Sequence, residues 1–286
     1  MQTHFIVITA SYNRPDLLIR NIKALQHQTC QNWQQIIVDD HSSCDMQSAF
    51  NLARLDERIK VIELADNRGC NYARNTALEY INNNNVEGYV TFVDDDDYLL
   101  PEALELVINE SANIVNKQWI TADCCYPDGS KASKLSRYGP LSYIDNYMYG
   151  NEIKGDLNHF ISTTACKDLA FSKKFRNGQE WSFFCQLSAR TNIEALNHSV
   201  KVIEYLEDGL SYQKINAKNK IDVFNYKIEV LKNLVSSKRL SHQKLLLARE
   251  LIAAGDIKAA REILYVIYKY HLFSLKFYRY FLKTII

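Results

Sequence analysis

Residues 89–101 have the sequence YVTFVDDDDYLLP, a short apolar segment that ends in four consecutive aspartates. The β-branched and aromatic residues predict a buried strand with the acids at its carboxyl end. Because side chains alternate along an extended backbone, we expect Asp94 and Asp96 on one side and Asp95 and Asp97 on the other. Ligands of open α/β sheets bind at the carboxyl ends of strands, so this segment predicts a site.

Four neighbouring carboxylates repel one another unless a cation or hydrogen-bond donors neutralise them. A hard divalent metal with oxygen ligands is the usual partner of such a group, so the segment predicts a metal site. The alternative is an acidic, solvated turn before a helix that begins near Pro101, with Asp97 near its N-cap. This alternative accounts for only one or two of the acids, and the metal site is therefore favoured.

Composition and charge exclude several classes of protein. The 286 residues are 47% hydrophobic, which is enough for a full core in one large domain or two small ones. A net charge of +1, from 34 basic and 33 acidic residues, gives no reason to expect nucleic acid as a partner. The seven cysteines are scattered without a C-x-x-C pair, which predicts reduced thiols. Without a signal-peptide pattern or a membrane-spanning apolar stretch, we expect a cytoplasmic protein.

Strand-like and helix-like patterns alternate over residues 1–125. Strands are predicted around residues 5–8, 36–38, 61–64, 89–93 and 119–122. Apolar residues at helical spacing lie between these strands, at Leu18, Ile22 and Leu25, at Ala73, Ala77 and Tyr80 or Ile81, and at Leu104, Val107, Ile108, Ser111 and Val115. This alternation predicts an α/β fold with a mostly parallel sheet flanked by helices. Residues 126–215 lack such a pattern and are expected to be irregular, and residues 216–286 are expected to be a helical extension.

Four short motifs follow one another in the first 105 residues. They are TASYNR at residues 9–14, VDDHS at 38–42, NRG at 67–69 with ARN at 73–75, and FVDDDD at 92–97 with Pro101. In this order and spacing they resemble the family-2 glycosyltransferases of the GT-A fold. The resemblance implies inverting transfer of a hexosyl group from a nucleotide sugar, in particular a UDP-sugar, to a saccharide or lipid-linked acceptor. It also implies a role in a bacterial surface polysaccharide such as lipopolysaccharide or capsule.

The resemblance further implies which residues bind the donor. The loop after the first strand and the acid after the second would hold the nucleoside, and an arginine would offset the charge of the diphosphate. The D-x-D motif corresponds to Asp94 and Asp96, with Asp96 a direct ligand of Mn²⁺ or Mg²⁺ and Asp94 near both ribose and metal. The expected nucleotide-binding residues are Thr9, Tyr12, Arg14, Asp39, Arg68, Arg74, Asp94 and Asp95.

A candidate catalytic base lies in the second half of the chain. Glu180 stands between Gly178 and a run of aromatic residues, and aromatic faces are a common surface for sugar rings. The stretch resembles the Glu-Asp pair that precedes a helix in the same family, where the second acid is the base, although the pair here is Gln179-Glu180. The alternative is that Glu180 is a first-turn acid that favours the following helix. His159 and His198 are weaker candidates for a third metal ligand.

The last residues have an unusual composition. Residues 263–286 contain no acidic residue, and Lys276, Arg279 and Lys283 share a helical stripe among leucines and tyrosines. A basic amphipathic helix with aromatic residues is typical of a membrane-surface element. The alternative is a helix that packs on its own domain or on the partner in a homodimer. The sequence therefore predicts three regions, 1–125 for the nucleotide sugar, 126–215 for acceptor and base, and 216–286 for membrane contact or dimerisation.

Three other functions are open to the same sequence. A phosphatase would use an aspartyl nucleophile from D-x-D-x-T, but position 98 is a tyrosine. A nucleotidyltransferase would need a glycine-rich loop after the first strand, and no G-x-G-x-x-G or G-x-x-x-x-G-K-[ST] motif is present. A catalytically inactive glycan-binding or scaffold protein on a transferase-like fold is the non-enzyme alternative.

Overall fold

A mixed sheet of nine strands forms the centre of the N-terminal part of the chain. The computed structural model describes residues 3–115, 117–204 and 217–285. The chain divides into two units, one within residues 1–206 and one within 207–286. The predicted division into 1–125, 126–215 and 216–286 remains a prediction, and its boundary at 215/216 lies outside the described residues.

One half of the sheet is parallel and the other half is mixed. The strands are β1 (Phe5–Ser11), β2 (Trp33–Asp39), β3 (Ile59–Glu63), β4 (Tyr89–Phe92), β5 (Tyr98–Leu99), β6 (Trp119–Cys125), β7 (Lys134–Leu135), β8 (Gly139–Leu141), β9 (Ile153–Lys154), β10 (Leu157–Ser162) and β11 (Ile193–Val202). Their order is β3-β2-β1-β4-β10-β6-β11-β5, with β8 paired to β11 and with β7 and β9 in a separate ribbon. Strands β1 to β4 pair in parallel, whereas β10 is antiparallel to both of its neighbours. The predicted α/β fold is confirmed.

Three strands of this sheet, β8, β10 and β11, lie in the segment that was expected to be irregular. That expectation was wrong, since β10 inserts between β4 and β6 and β11 pairs with β6. Register shifts interrupt the β11 ladder between Leu196 and Lys201, so the strand lacks the strict alternation by which sequence patterns identify strands.

Helices cover the sheet and form the second unit. Those of the first unit are α1 (Pro15–Gln26), α2 (Gln47–Arg54), α3 (Cys70–Asn83), α4 (Ala103–Glu110), α5 (Thr163–Cys166) and α6 (Trp181–Leu187). Those of the second are α7 (Ala217–Leu231), α8 (Ser237–Ala253), α9 (Ile257–Ile267) and α10 (Leu275–Leu282). Among the described helices, none combines the length and the apolar character needed to cross a bilayer.

The apolar periodicity predicted the buried face of α1 correctly, but it predicted a longer α4 than the structure has. Leu18, Ile22 and Leu25 are all buried on the inner face of α1, as expected. The predicted face of α4 extended to Val115, but the helix ends at Glu110 and Val115 is fully exposed. The amide of Ala112 bonds to the carbonyl oxygen of Asn109, which tightens the chain into a turn after the helix.

Candidate active site

The loops that follow β1, β2 and β4 meet at one edge of the sheet. Ser11, the last residue of β1, pairs with Asp39, the last residue of β2. The amide of Val93, just after β4, donates to the carbonyl oxygen of Ile8 at 3.0 Å. The parallel order of these strands therefore brings the three polar loops together, as the sequence predicted.

The four aspartates form a turn that leaves the sheet after β4. The amide of Asp97 donates to the carbonyl oxygen of Asp94 at 3.0 Å. Asn21 of α1 fixes this backbone, because its side-chain amide donates to the carbonyl oxygens of Asp94 at 3.1 Å and Asp97 at 2.9 Å. Asp95 and Asp97 are buried while Asp94 and Asp96 are partly exposed, which matches the predicted alternation.

The turn gathers three of these carboxylates rather than two. One oxygen each of Asp94, Asp96 and Asp97 lies within 4.8 Å of the others. Neighbouring oxygen ligands of a Mg²⁺ ion lie about 3 Å apart, so a bound ion at this turn would draw the three carboxylates closer together. The donor set, all carboxylate oxygens, also fits the preference of Mg²⁺ and Mn²⁺.

Neither histidine candidate belongs to this acidic group among the residues that the structure describes. Nδ1 of His159 accepts a hydrogen bond from the indole Nε1 of Trp119 at 3.1 Å. Nε2 of His198 lies 3.5 Å from a carboxylate oxygen of Glu110. Each histidine therefore contacts a residue outside the acidic group.

Among the residues that the structure describes, three cations contact the carboxylates of the four aspartates. Arg14 donates to Asp96 at 2.8 Å and to Asp95 at 3.3 Å. Arg74 donates to Asp94 at 2.6 Å, and Nζ of Lys201 lies 2.7 Å from Asp97. Lys201 comes from β11, so a strand far away in sequence supplies part of the site. Arg74 also pairs with Glu180, so these three cations face five carboxylates at the site.

The protonation of the buried aspartates reflects this balance. Burial raises the pKa of Asp95 to about 7, although the charge of Arg14 opposes the shift. Burial raises the pKa of Asp97 to about 6 against the charge of Lys201. The raised pKa values mean that the paired cations do not fully offset the burial of these two carboxylates.

Arg74 connects the aspartate turn to the predicted base. It projects from α3 with its side chain almost fully buried, and its Nη1 donates to Oε1 of Glu180 at 3.0 Å while its Nη2 bonds to Asp94. Glu180 directly precedes α6, and 44% of its side chain is exposed. It makes no side-chain capping bond to that helix. Glu180 therefore faces both solvent and the aspartate turn.

The residues expected to bind the nucleoside differ in exposure and in their hydrogen-bond partners. Tyr12 is exposed, and its amide lies 3.4 Å from Asp95. Thr9 is fully buried, and its hydroxyl accepts from Gln35 at 3.0 Å, so its side chain is not exposed to a ligand. Asp39 accepts from the amide and the hydroxyl of Ser42 at 2.9 and 2.5 Å. Their roles in nucleotide binding remain predictions.

Sequence reasoning did not identify the residues that fix these loops. Oδ1 of Asn13 accepts from the amides of Ser43 and Cys44 at 2.7 and 3.1 Å, which joins the loop after β1 to the loop after β2. Asn13 has a φ of 57°, a conformation that asparagine adopts more readily than most residues. The asparagine itself, in the loop after β1, was therefore the one signal that the sequence offered for this position. No local signal marked Lys201, because its partner lies on another part of the chain.

Asp40 and Gly69 fix the backbone of the loop before α3. The carboxylate of Asp40 accepts from the amides of Arg68 and Gly69, both at 2.7 Å. Gly69 has a φ of +94°, and a Cβ there would lie 2.5 Å from the carbonyl oxygen of Arg176. The exposed side chain of Arg68 stacks on the ring of Tyr72 at 3.5 Å. Arg68 and Arg74 were both expected to offset the negative charge of the donor. Of these two, Arg74 is the one that faces the aspartate turn.

Comparison with known proteins identifies related sequences. The family model described as glycosyl transferase family 2 matches residues 6–164. WcaA of Escherichia coli K12, which carries the name of a colanic acid biosynthesis glycosyl transferase, is 28% identical over 181 residues, or 62% of this chain and 63% of WcaA. The GalNAc(5)-diNAcBac-PP-undecaprenol beta-1,3-glucosyltransferase of Campylobacter jejuni is 37% identical over 108 residues, or 37% of this chain and 33% of that enzyme. The chain thus spans less than two thirds of each of these relatives.

A solved structure shares the fold. Residues 1–349 of TarS from S. aureus, crystallised in complex with UDP-GlcNAc, superpose with a TM-score of 0.66 at 19% identity. The match covers 87% of this chain and 72% of that structure. The large central sheet flanked by helices is therefore the GT-A fold of TarS.

Proposed function

The chain belongs to glycosyl transferase family 2, and from this premise we propose that it transfers a sugar from a nucleotide diphosphate donor, with UDP as the nucleotide. The acceptor is a saccharide or a lipid-linked saccharide, and the product contributes to a bacterial surface polysaccharide. One observation carries the proposal: a single buried arginine, Arg74, contacts both the D-x-D turn and Glu180. The donor-binding acids and a carboxylate suited to proton transfer thus lie in one site.

The donor is proposed to bind at the loops after β1, β2 and β4. Tyr12 and Asp39 would contact the nucleoside, and this is supported by the amide of Tyr12, 3.4 Å from Asp95, and by the pairing of Asp39 with the neighbouring Ser11. Asp96 and Asp94 would hold Mn²⁺ or Mg²⁺, and such an ion supplies charge stabilisation for the departing diphosphate. Because Arg14 bonds to Asp96, its guanidinium would have to move from that carboxylate towards the diphosphate when the donor enters.

Glu180 is proposed as the general base. Its exposed carboxylate accepts the proton of the acceptor hydroxyl as that oxygen forms a bond to the anomeric carbon of the sugar. The bond from that carbon to the diphosphate oxygen breaks on the opposite face, so the configuration inverts. Arg74 orients Glu180 by donating a charge-assisted hydrogen bond to its carboxylate.

The test combines donor screening with one variant pair. The purified chain is assayed for release of UDP from a panel of UDP-sugars with Mn²⁺, and for stabilisation by UDP and Mn²⁺ in thermal unfolding. Asp96→Ala is expected to abolish both the metal-dependent release and the stabilisation. Asp66→Ala, at an exposed aspartate outside the turn, is the control and is expected to keep both.

Two results would contradict the proposal. Equal activity of Asp96→Ala and Asp66→Ala would remove the metal role from the turn. Absence of any stabilisation of the native chain by UDP and Mn²⁺, with no release from any donor of the panel, would favour the inactive scaffold.

A further inference from the structure

The chain carries a strong charge asymmetry that its net charge of +1 conceals. Residues 217–286 contain 14 lysines and arginines and five acids, a net charge of +9. Residues 1–216 therefore carry a net charge of −8. Such a contrast between the parts of one chain is typical of a segment that meets an anionic partner.

Helix α10 has apolar side chains on two faces. Its inner face carries Phe277, which is fully buried in the core of the second unit. The outer face carries Leu275, Tyr278 and Leu282, with Ile285 following at the same helical spacing, and all four are exposed. The core of the second unit uses the inner face, and the outer face stays exposed.

The turn before α10 extends the exposed apolar surface. Phe273 is 100% exposed and Leu275 is 88% exposed, and Leu272 beside them is also exposed. We call these six residues, Leu272, Phe273, Leu275, Tyr278, Leu282 and Ile285, the C-terminal patch. Large apolar side chains that share one surface mark an interaction site, whereas isolated ones do not.

Cations border this patch. Lys276, Arg279 and Lys283 are all exposed, and at about 100° per residue they form a stripe of α10 next to the outer apolar face. Within the described part of residues 263–286, no carboxylate side chain lies between them, because the sequence there has none. The surface thus presents an apolar stripe and a basic stripe side by side.

We propose that the C-terminal patch docks on a lipid bilayer with anionic phospholipid headgroups. The apolar side chains enter the boundary between headgroups and acyl chains, and the three cations contact lipid phosphates. A second copy of the chain fits less well, because two units of charge +9 would face each other. Nucleic acid would account for the cations but not for exposed leucines and phenylalanine.

The proposal adds an attachment site to the proposed function without depending on it. An acceptor carried on a lipid stays at the membrane, so attachment confines the enzyme to the surface where that acceptor is found. Release of sugar from a soluble donor needs no membrane, and this separates the two proposals experimentally.

The test measures binding of the full chain to vesicles by sedimentation. One vesicle is phosphatidylcholine alone, and the other contains phosphatidylglycerol as well. Binding is expected only with the anionic lipid, and it is expected to weaken as salt is added. The triple variant Lys276→Gln, Arg279→Gln, Lys283→Gln is expected to lose about fivefold in partitioning for each cation removed. The matched control Lys232→Gln, Lys238→Gln, Lys258→Gln removes the same charge from exposed sites elsewhere in the unit and is expected to lose less.

A second pair of variants tests the apolar stripe. Phe273→Ser with Leu275→Ser is expected to reduce partitioning at least tenfold, whereas Leu55→Ser, at an exposed leucine of the first unit, changes nothing. Because these positions are exposed, circular dichroism is expected to show unchanged folding. Equal losses for the two triple variants, or no binding to anionic vesicles, would overturn the proposal. If the native chain self-associates without binding vesicles, and the Phe273 and Leu275 variant loses that self-association, the patch binds a second copy of the chain. If the native chain binds RNA but not vesicles, the patch is likewise not a lipid-binding surface.

Discussion

Asp94 and Glu180 share one guanidinium group, since Nη2 of Arg74 lies 2.6 Å from Oδ1 of Asp94 and Nη1 lies 3.0 Å from Oε1 of Glu180. Arg74 is itself buried, while both carboxylates are partly exposed. The charged group that orients the site is therefore held by the protein core, and the groups that would meet substrate remain accessible. This arrangement makes the position of Glu180 depend on the aspartate turn.

Glu180→Gln tests the assigned base. Glutamine keeps an oxygen that can accept the bond from Arg74, but it cannot take up the proton of the acceptor hydroxyl. We expect turnover of sugar transfer to fall by about 10²- to 10⁴-fold with donor binding unchanged, measured by a transfer assay and by calorimetric titration with UDP. The control is Glu152→Gln, another glutamate paired with an arginine, Arg137. Similar turnover in the two variants would remove Glu180 from the mechanism.

Arg74→Lys tests the shared guanidinium. Lysine keeps the charge, but a single ammonium group cannot reproduce a planar fork with bonds to two separate carboxylates. We expect turnover to fall by about 10- to 100-fold because Glu180 loses its orientation, with a smaller change in the KM for the donor. The control is Arg190→Lys, whose guanidinium bonds to backbone carbonyl oxygens instead. A change confined to KM would assign Arg74 to donor binding alone.

Lys201→Met tests the buried end of the aspartate turn. The variant leaves Asp97 without its cation at a position where both side chains are only 10% exposed. We expect the free energy of unfolding to fall by about 3–5 kcal/mol in urea denaturation. The double variant Lys201→Met with Asp97→Asn removes both charges and is expected to recover much of this loss. If the double variant is no more stable than the single one, the two charges do not act as a pair.

His159→Gln tests the partly buried imidazole through pH dependence. Burial, and then the charge of Lys201, lower the pKa of His159 to about 3, whereas a histidine in an unfolded chain has a pKa of about 6.5. Below pH 6.5 only the unfolded chain takes up this proton, so the native chain loses stability as the pH falls from about 6.5 towards 3. The slope is at most about 1.4 kcal/mol per pH unit.

Glutamine at position 159 can still accept from Trp119 but does not titrate in this range. We therefore expect the stability advantage of the native chain over His159→Gln to shrink between pH 7 and pH 5 in urea denaturation, and to stay constant from about pH 7 to pH 8. An advantage independent of pH would mean that His159 titrates alike in both states. Comparing the two chains cancels the contributions of Asp95 and Asp97, whose raised pKa values act in the opposite direction.

Local patterns identified much of the first half of the fold. The apolar runs predicted β1, β2 and β4, and helical spacing predicted the buried face of α1, because burial of one face leaves its period in the sequence. The same patterns failed for β10 and β11, where polar residues and register shifts obscure the alternation. The prediction of α4 extended too far because periodicity continued after the backbone had turned at Ser111.

The sequence by itself determined the acidic turn, the order of its neighbouring motifs and the family, because these are properties of adjacent residues. Only the tertiary structure decided which partners complete the site: Arg74 and Glu180 are separated by 106 positions along the chain, and Lys201 reaches Asp97 from another strand. It also decided which apolar face of α10 is buried and which is exposed, since both faces have the same helical period. Contacts between distant segments depend on how the strands are ordered in the sheet, and that order leaves no mark on the local pattern.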